Sequence, residues 1–184
     1  VGATKITTVA ALPVCDIYYE GKQRMKLYNL TGESCELQVI GYQFANQAQI
    51  DNIWDLNWLI ILIRVQHSQG FWEAQQPCLL TKEVLALRNW LMSILEKKPT
   101  QRTLEFIEPH LVFQYQSLSQ TLRLFFETGF RPSWMPWDGI MQDLWIDVPI
   151  EGSSIKNCIY KLDQYLHAYP PRDYQGQLET FLQR

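Results

Sequence analysis

Several local signatures of chemistry are missing from this sequence. No CxxC pair links its cysteines, no HExxH motif involves His67, His110 or His167, no GxSxG elbow presents a serine, and no glycine-rich stretch feeds a helix N-terminus. Each absence removes one local route: paired-thiol metal or redox chemistry, a zinc protease, an α/β-hydrolase nucleophile, and a phosphate cradle. Basic clustering is equally thin. The longest Lys/Arg run is Lys97-Lys98 and the net charge is −3, which argues against the concentrated positive charge that drives nucleic-acid binding. The most apolar run, Leu59-Ile60-Ile61-Leu62-Ile63, is ended by Arg64 and His67 and falls far short of the ~20 residues that span a bilayer. The expectation is therefore no cofactor, no nucleic-acid partner and no membrane partner.

What is present is material for a core. The 184 residues are 47% apolar, with seven Trp, nine Tyr and eight Phe, enough to bury a core without metal or disulfide support. Cys15, Cys35, Cys78 and Cys158 are widely scattered. Four cysteines permit two disulfides in three pairings, yet free thiols in a reducing compartment are the expectation. Cys78 and Cys158 read as small buried hydrophobes, with Cys158 off the main apolar seam of its helix. The chain opens without Met, and the weak periodicity of Val1 to Arg24 marks an N-terminal extension or leader. Residues 25–184 read as a single globular domain.

Period-two and period-3.6 patterning then define the elements. Lys26 to Asn29, the turn Thr31-Gly32-Glu33-Ser34, and Cys35 to Phe44 form a hairpin pattern. Trp58 to Gln66 is apolar on both faces, as a central strand covered on both sides would be, and Phe71 to Leu79 returns beside it with Pro77 near its end. Val84, Leu87, Leu91 and Ile94 place an amphipathic helix over Thr81 to Glu96, with Thr81 as N-cap, Leu80 and Leu85 as staple, and Lys97-Lys98-Pro99 at its end. Strands are expected at Arg102 to Ile107, Leu111 to Gln116, Gln120 to Thr128 and Leu144 to Val148. A second helix spans Ser154 to Ala168, capped by Ser153 or Ser154 and stopped by Pro170-Pro171, and a last helical turn lies within Gln177 to Arg184. The fold class is α+β, mainly antiparallel and sandwich-like.

Two segments bear on function. Asp51, Asp55 and Asn57 flank Ile53-Trp54, where short polar side chains can bond their own backbone in a turn entering the central strand, or form an acidic, Trp-bearing contact surface. The loop from Phe130 to Trp137 either plugs the end of a sheet or presents its rings to a partner. Acid pairs such as Glu105 with Glu108, or Asp143 with Asp147, read as solvated or structural unless their separation suits acid–base work.

The order Glu36-Leu37-Gln38-Val39-Ile40-Gly41-Tyr42-Gln43-Phe44, Asp55-Leu56-Asn57-Trp58-Leu59, then Trp72-Glu73 with Pro77-Cys78-Leu79-Leu80-Thr81, resembles the WapI family of bacterial immunity proteins. The likeness continues through Leu104-Glu105-Phe106-Ile107-Glu108-Pro109-His110-Leu111 and Phe130-Arg131-Pro132-Ser133-Trp134 to the helix ending near Tyr169-Pro170. The resemblance implies a cytoplasmic, non-enzymatic protein that binds and neutralises a cognate toxin protein. Catalytic residues are not part of what it carries across. From charge and loop placement, Asp51, Asp55, Asp138 and Asp143, with Trp54, Trp134 and Trp137, are the candidate protein-binding residues, suited to the basic surface of a nuclease toxin. The rival expectation is a small-ligand binding protein or a hydrolase with a sheet–helix pocket.

Overall fold

The computed structural model describes residues 24–47, 50–135 and 143–183. Trp137, Asp138, Cys15 and the extension before Arg24 lie outside these residues. Two antiparallel meanders make up the strands: β1 (Met25–Tyr28), β2 (Ser34–Tyr42), β3 (Trp58–His67) and β4 (Gly70–Leu80) in one sheet, and β5 (Thr103–Leu104), β6 (Leu111–Gln116), β7 (Thr121–Phe126) and β8 (Trp145–Pro149) in the other. Helix α1 (Ile53–Asn57) leads into β3, α2 (Thr81–Leu95) joins the sheets, α3 (Gly152–Ala168) follows β8, and α4 (Leu178–Gln183) comes last among the described residues. The fold is α+β with two four-stranded antiparallel sheets in a sandwich-like arrangement.

Alternation puts one face of each sheet inside. Leu27, Cys35, Val65 and Trp72 form one inward row across the first sheet, and Leu104, Phe113, Leu124 and Ile146 one across the second; all eight are buried. Trp72 meets Phe126 edge-on at 5.3 Å, tying sheet to sheet, and Leu87, Leu91, Ile155 and Leu162 of α2 and α3 join the same buried cluster. Arg88 and Asp163 bridge the two helices at 2.9 Å. On the opposite face of the first sheet, Lys26, Glu36, Arg64 and Glu73 stand in register and alternate in sign across all four strands.

The central position of β3 is as expected, with Leu59, Ile61, Ile63 and Val65 buried on one face. Its other face is only partly covered, since Trp58, Ile60 and Arg64 are half-exposed. Pro77 pairs with Ile60 beside a register shift in β4, where Cys78 is the extra residue.

Several local expectations are corrected. The α2 N-cap is Leu80: the Thr81 hydroxyl is spent on Asn57 Oδ1 at 2.9 Å, while Glu83 accepts the Leu80 N–H at 2.8 Å. Leu85 is exposed, so it forms no staple with buried Leu80. The strand expected over Arg102 to Ile107 shrinks to Thr103–Leu104 because the Ile107 N–H turns to Glu83 Oε1 at 2.8 Å instead of a strand partner. The α3 N-cap is Glu151, without a side-chain cap, and Ser154 Oγ is buried with no hydrogen-bond partner. Cys158 is buried in the core, on the apolar seam and not beside it.

Candidate protein-binding surface

The hairpin tips bring polar groups together because an antiparallel meander stacks its turns. Ser34 pairs with Gln66, so Glu33 in the β1–β2 turn lies beside His67 and Ser68 at the end of β3. Asn29 builds the turn: its Oδ1 accepts from Thr31 N at 3.1 Å, Thr31 Oγ1 at 2.7 Å and Glu33 N at 2.9 Å. Its Nδ2 donates to Glu33 Oε2 and to the Asp147 carbonyl, each at 3.0 Å, and so fastens the first sheet to β8 of the second.

Between these tips and β8 lies a cleft of about 250 Å³ lined by Glu33, His67, Gln69, Asp143, Leu144, Trp145 and Asp147. Burial pushes the Glu33 carboxyl up, but hydrogen bonds from Asn29 and Ser68 and the nearby His67 outweigh it, and the net shift is downward. Glu33 is thus held as a carboxylate. Asp147 takes a two-pronged contact from Arg123 at 2.8 and 2.7 Å, and that guanidinium also lies 4.8 Å from the Trp145 ring centre. Just behind the cleft, burial holds Glu127 above the usual carboxylate range, with Arg131 opposing the rise and Asp143 adding to it.

Trp134 adjoins this cleft across the hairpin. The residue is 46% exposed, and its ring packs edge-on to Trp72 at 6.2 Å and rests against Gly70, the residue after cleft-lining Gln69. Phe130 of the same loop is fully buried and Trp134 is not, so this loop both plugs the core and presents a ring.

Asp51, Trp54 and Asp55 lie elsewhere. Trp54 and Asp55 belong to α1, and Asp51 precedes its cap, at the opposite end of β3, roughly 30 Å away at about 3.3 Å per strand residue. Asn52 caps this helix by accepting from Asp55 N at 2.9 Å and donates to Asp55 Oδ2 at 2.8 Å, while Asp51 is exposed. Trp54 meets buried Phe181 of α4 edge-on at 5.3 Å, and Lys82 Nζ sits 4.4 Å from the Trp54 ring and 4.9 Å from that of Phe181. A second groove of about 260 Å³, lined by Ile53, Trp54, Gln177, Thr180 and Phe181, opens here. The candidate residues therefore divide into two places: Asp143 and Trp134 at the hairpin end, and Asp51, Trp54 and Asp55 at the other.

Asn57 is a structural hub. It is fully buried, donates to Ile53 O at 2.8 Å and Arg172 O at 2.9 Å, and accepts from Thr81 Oγ1 at 2.9 Å and Arg172 N at 2.8 Å. Glu33, His67 and Trp145 are not among the protein-binding candidates named from sequence. The hairpin register held the signal for the first two, since residues flanking consecutive tight turns of a meander become neighbours. Among the described residues no group of three His, Cys, Asp or Glu side chains is arranged to hold a metal ion, and no helix is long and apolar enough to cross a membrane.

Fold and surface together define an α+β protein of two meanders around a shared core, with an acidic cleft edged by tryptophans where the sheet ends meet. The chain belongs to the Immunity protein WapI-like family, whose model matches residues 26–170. No curated protein and no solved structure matches it.

Proposed function

We propose that this chain is an immunity protein that binds a cognate toxin domain in the cytoplasm and blocks it by occupation of a basic surface. One observation carries the reading: the cleft at the β3–β4 hairpin end combines ionised Glu33 with Asp143 and half-exposed Trp145 in its lining, and half-exposed Trp134 rests on Gly70 beside lining residue Gln69. Carboxylates steer and orient a basic partner, and large rigid rings supply contact area at small entropic cost. Trp134 and Asp143 are the proposed anchors, with Glu33 and Trp145 beside them. Asp51, Trp54 and Asp55 form a separate candidate contact patch.

The chemistry of the cleft favours this reading over a hydrolase. A general acid near neutral pH needs a carboxyl raised well above its ordinary value; Glu33 of the cleft lining is lowered, and the raised Glu127 is not among the lining residues.

The test is co-expression with the toxin encoded immediately upstream, followed by affinity measurement on purified proteins. Protection and binding are expected, and the substitutions Trp134→Ala and Asp143→Ala each weaken binding while leaving the unfolding transition in place. Failure to bind that toxin or relieve its toxicity would sink the pairing.

A further inference from the structure

The loop that carries Trp134 runs back along edge strand β4 and touches it at three successive points. At the first, Gly129 lies so close to Gln76 that a Cβ there would meet Gln76 Cγ at 2.9 Å. At the second, the Trp72 indole N–H donates to the Phe130 carbonyl at 2.9 Å, fixing the loop four residues before Trp134. The third is the contact of Trp134 with Gly70, the first residue of β4. A Cβ on Gly70 would stand 3.3 Å from Trp134 Cζ2, tight enough that the indole must give by a few tenths of an ångström, and 3.7 Å from Cε2, an ordinary contact. Gly70 also has φ +150°, a conformation that L-residues rarely adopt.

We infer that Gly70 is a positioning residue for Trp134: its bare Cα lets the indole lie on the hairpin tip, so that Trp134 is presented beside the acidic cleft and not displaced from it. The inference deepens the proposed function and rests on the assignment of Trp134 to the toxin-contacting face. Its physical basis is separate, because the flatness of the tip and the edge contact to Trp72 fix the ring whether or not a toxin is present. Pre-set orientation of an anchor removes ordering cost from association.

The experiment has two arms on the full chain. In the first, protein labelled with 5-fluorotryptophan is examined by fluorine NMR, with the Trp134 signal assigned through Trp134→Phe. Gly70→Ala is expected to shift the Trp134 and Trp72 signals and to leave those of Trp54, Trp58 and Trp90 in place. Gly176→Ala is the control for a distant Gly→Ala change at positive φ, since Gly176 has φ +76° with nothing within 4 Å of its would-be Cβ; it should move neither Trp134 nor Trp72. In the second arm, affinity for the upstream-encoded toxin domain is expected to fall roughly tenfold or more in Trp134→Ala and by a comparable factor in Gly70→Ala. The double variant should bind no worse than Trp134→Ala alone. Where Gly70→Ala does not fold, Gly70→Ala with Trp134→Phe tests the same contact, because the smaller ring leaves room for the methyl and should restore folding. Wild-type affinity in Trp134→Ala overturns the surface assignment. An unmoved Trp134 signal in Gly70→Ala, wild-type affinity in Gly70→Ala beside a weakened Trp134→Ala, or failure of the smaller ring to restore folding overturns the positioning role.

Discussion

Replacement of Asn57 by alanine should be among the most damaging single changes in this protein. An amide side chain offers two N–H donors and one carbonyl with two lone pairs, and all four are used: by Ile53 O, Arg172 O, Thr81 Oγ1 and Arg172 N. A net hydrogen bond is worth ~1 kcal/mol, and the orphaned partners add desolvation cost that entering water offsets in part, so Asn57→Ala should cost about 3–5 kcal/mol. For a chain of this size that corresponds to a fall in Tm of roughly 6–20 °C at about 2–4 °C per kcal/mol. Thr81→Val deletes one of the four bonds at nearly constant shape and should cost only ~1 kcal/mol. Urea unfolding of both variants, with hydrogen exchange read over residues 171–183, gives the comparison. The Asn57 variant should lose protection there first, since two of its four bonds hold Arg172. A cost under ~1 kcal/mol for Asn57→Ala, or equal costs for the two variants, would refute the hub.

Other outcomes follow from single features. Just past α2 and its C-cap Glu96, Lys97 adopts a left-handed conformation, φ 58°, with Lys97 N bonded to Ile94 O and Lys98 N to Ser93 O. Glycine prefers that position, so Lys97→Gly should stabilise by about 0.5–1 kcal/mol in urea unfolding, with no gain from Lys97→Ala. Cys35, Cys78 and Cys158 are buried; burial raises all three thiols, Cys158 to about 12, so none should react with Ellman's reagent until the chain is unfolded. Because the folded-state pKa of Glu33 lies below its unfolded value, its stabilising contribution is present above ~pH 4.5 and is lost as pH falls through the folded value. The difference in urea midpoint between wild type and Glu33→Gln should be widest near neutral pH and close in acid; a constant gap would contradict the shift.

Long periodic stretches were legible in the sequence. The apolar run of β3 and the spacing of Val84, Leu87, Leu91 and Ile94 in α2 declare themselves because period alone decides which residues face inward. Segment ends were less legible, because distant partners set them. Glu83 captures Ile107 N–H from 24 residues away and so shortens β5, and Asn57 takes the Thr81 hydroxyl that a local reading assigns to a cap. Helix α1, with five residues, is too short for periodicity to separate from a turn. At the candidate surface, Asp143 and Trp134 were legible as residue types in a loop. Their company of Glu33, His67 and Trp145 depends on two sheets meeting through Asn29, which no stretch of sequence displays.

The length of β3 also bears on how this protein can change over generations. With α1 at one end and the β3–β4 turn at the other, substitutions in the two places share no partners, and effects at such separations add instead of compounding. A lineage can therefore rework the tryptophan and carboxylates around the hairpin tips while the aromatic cluster of α1 and α4 keeps its own geometry. The strand acts as an insulator between two independently heritable surfaces.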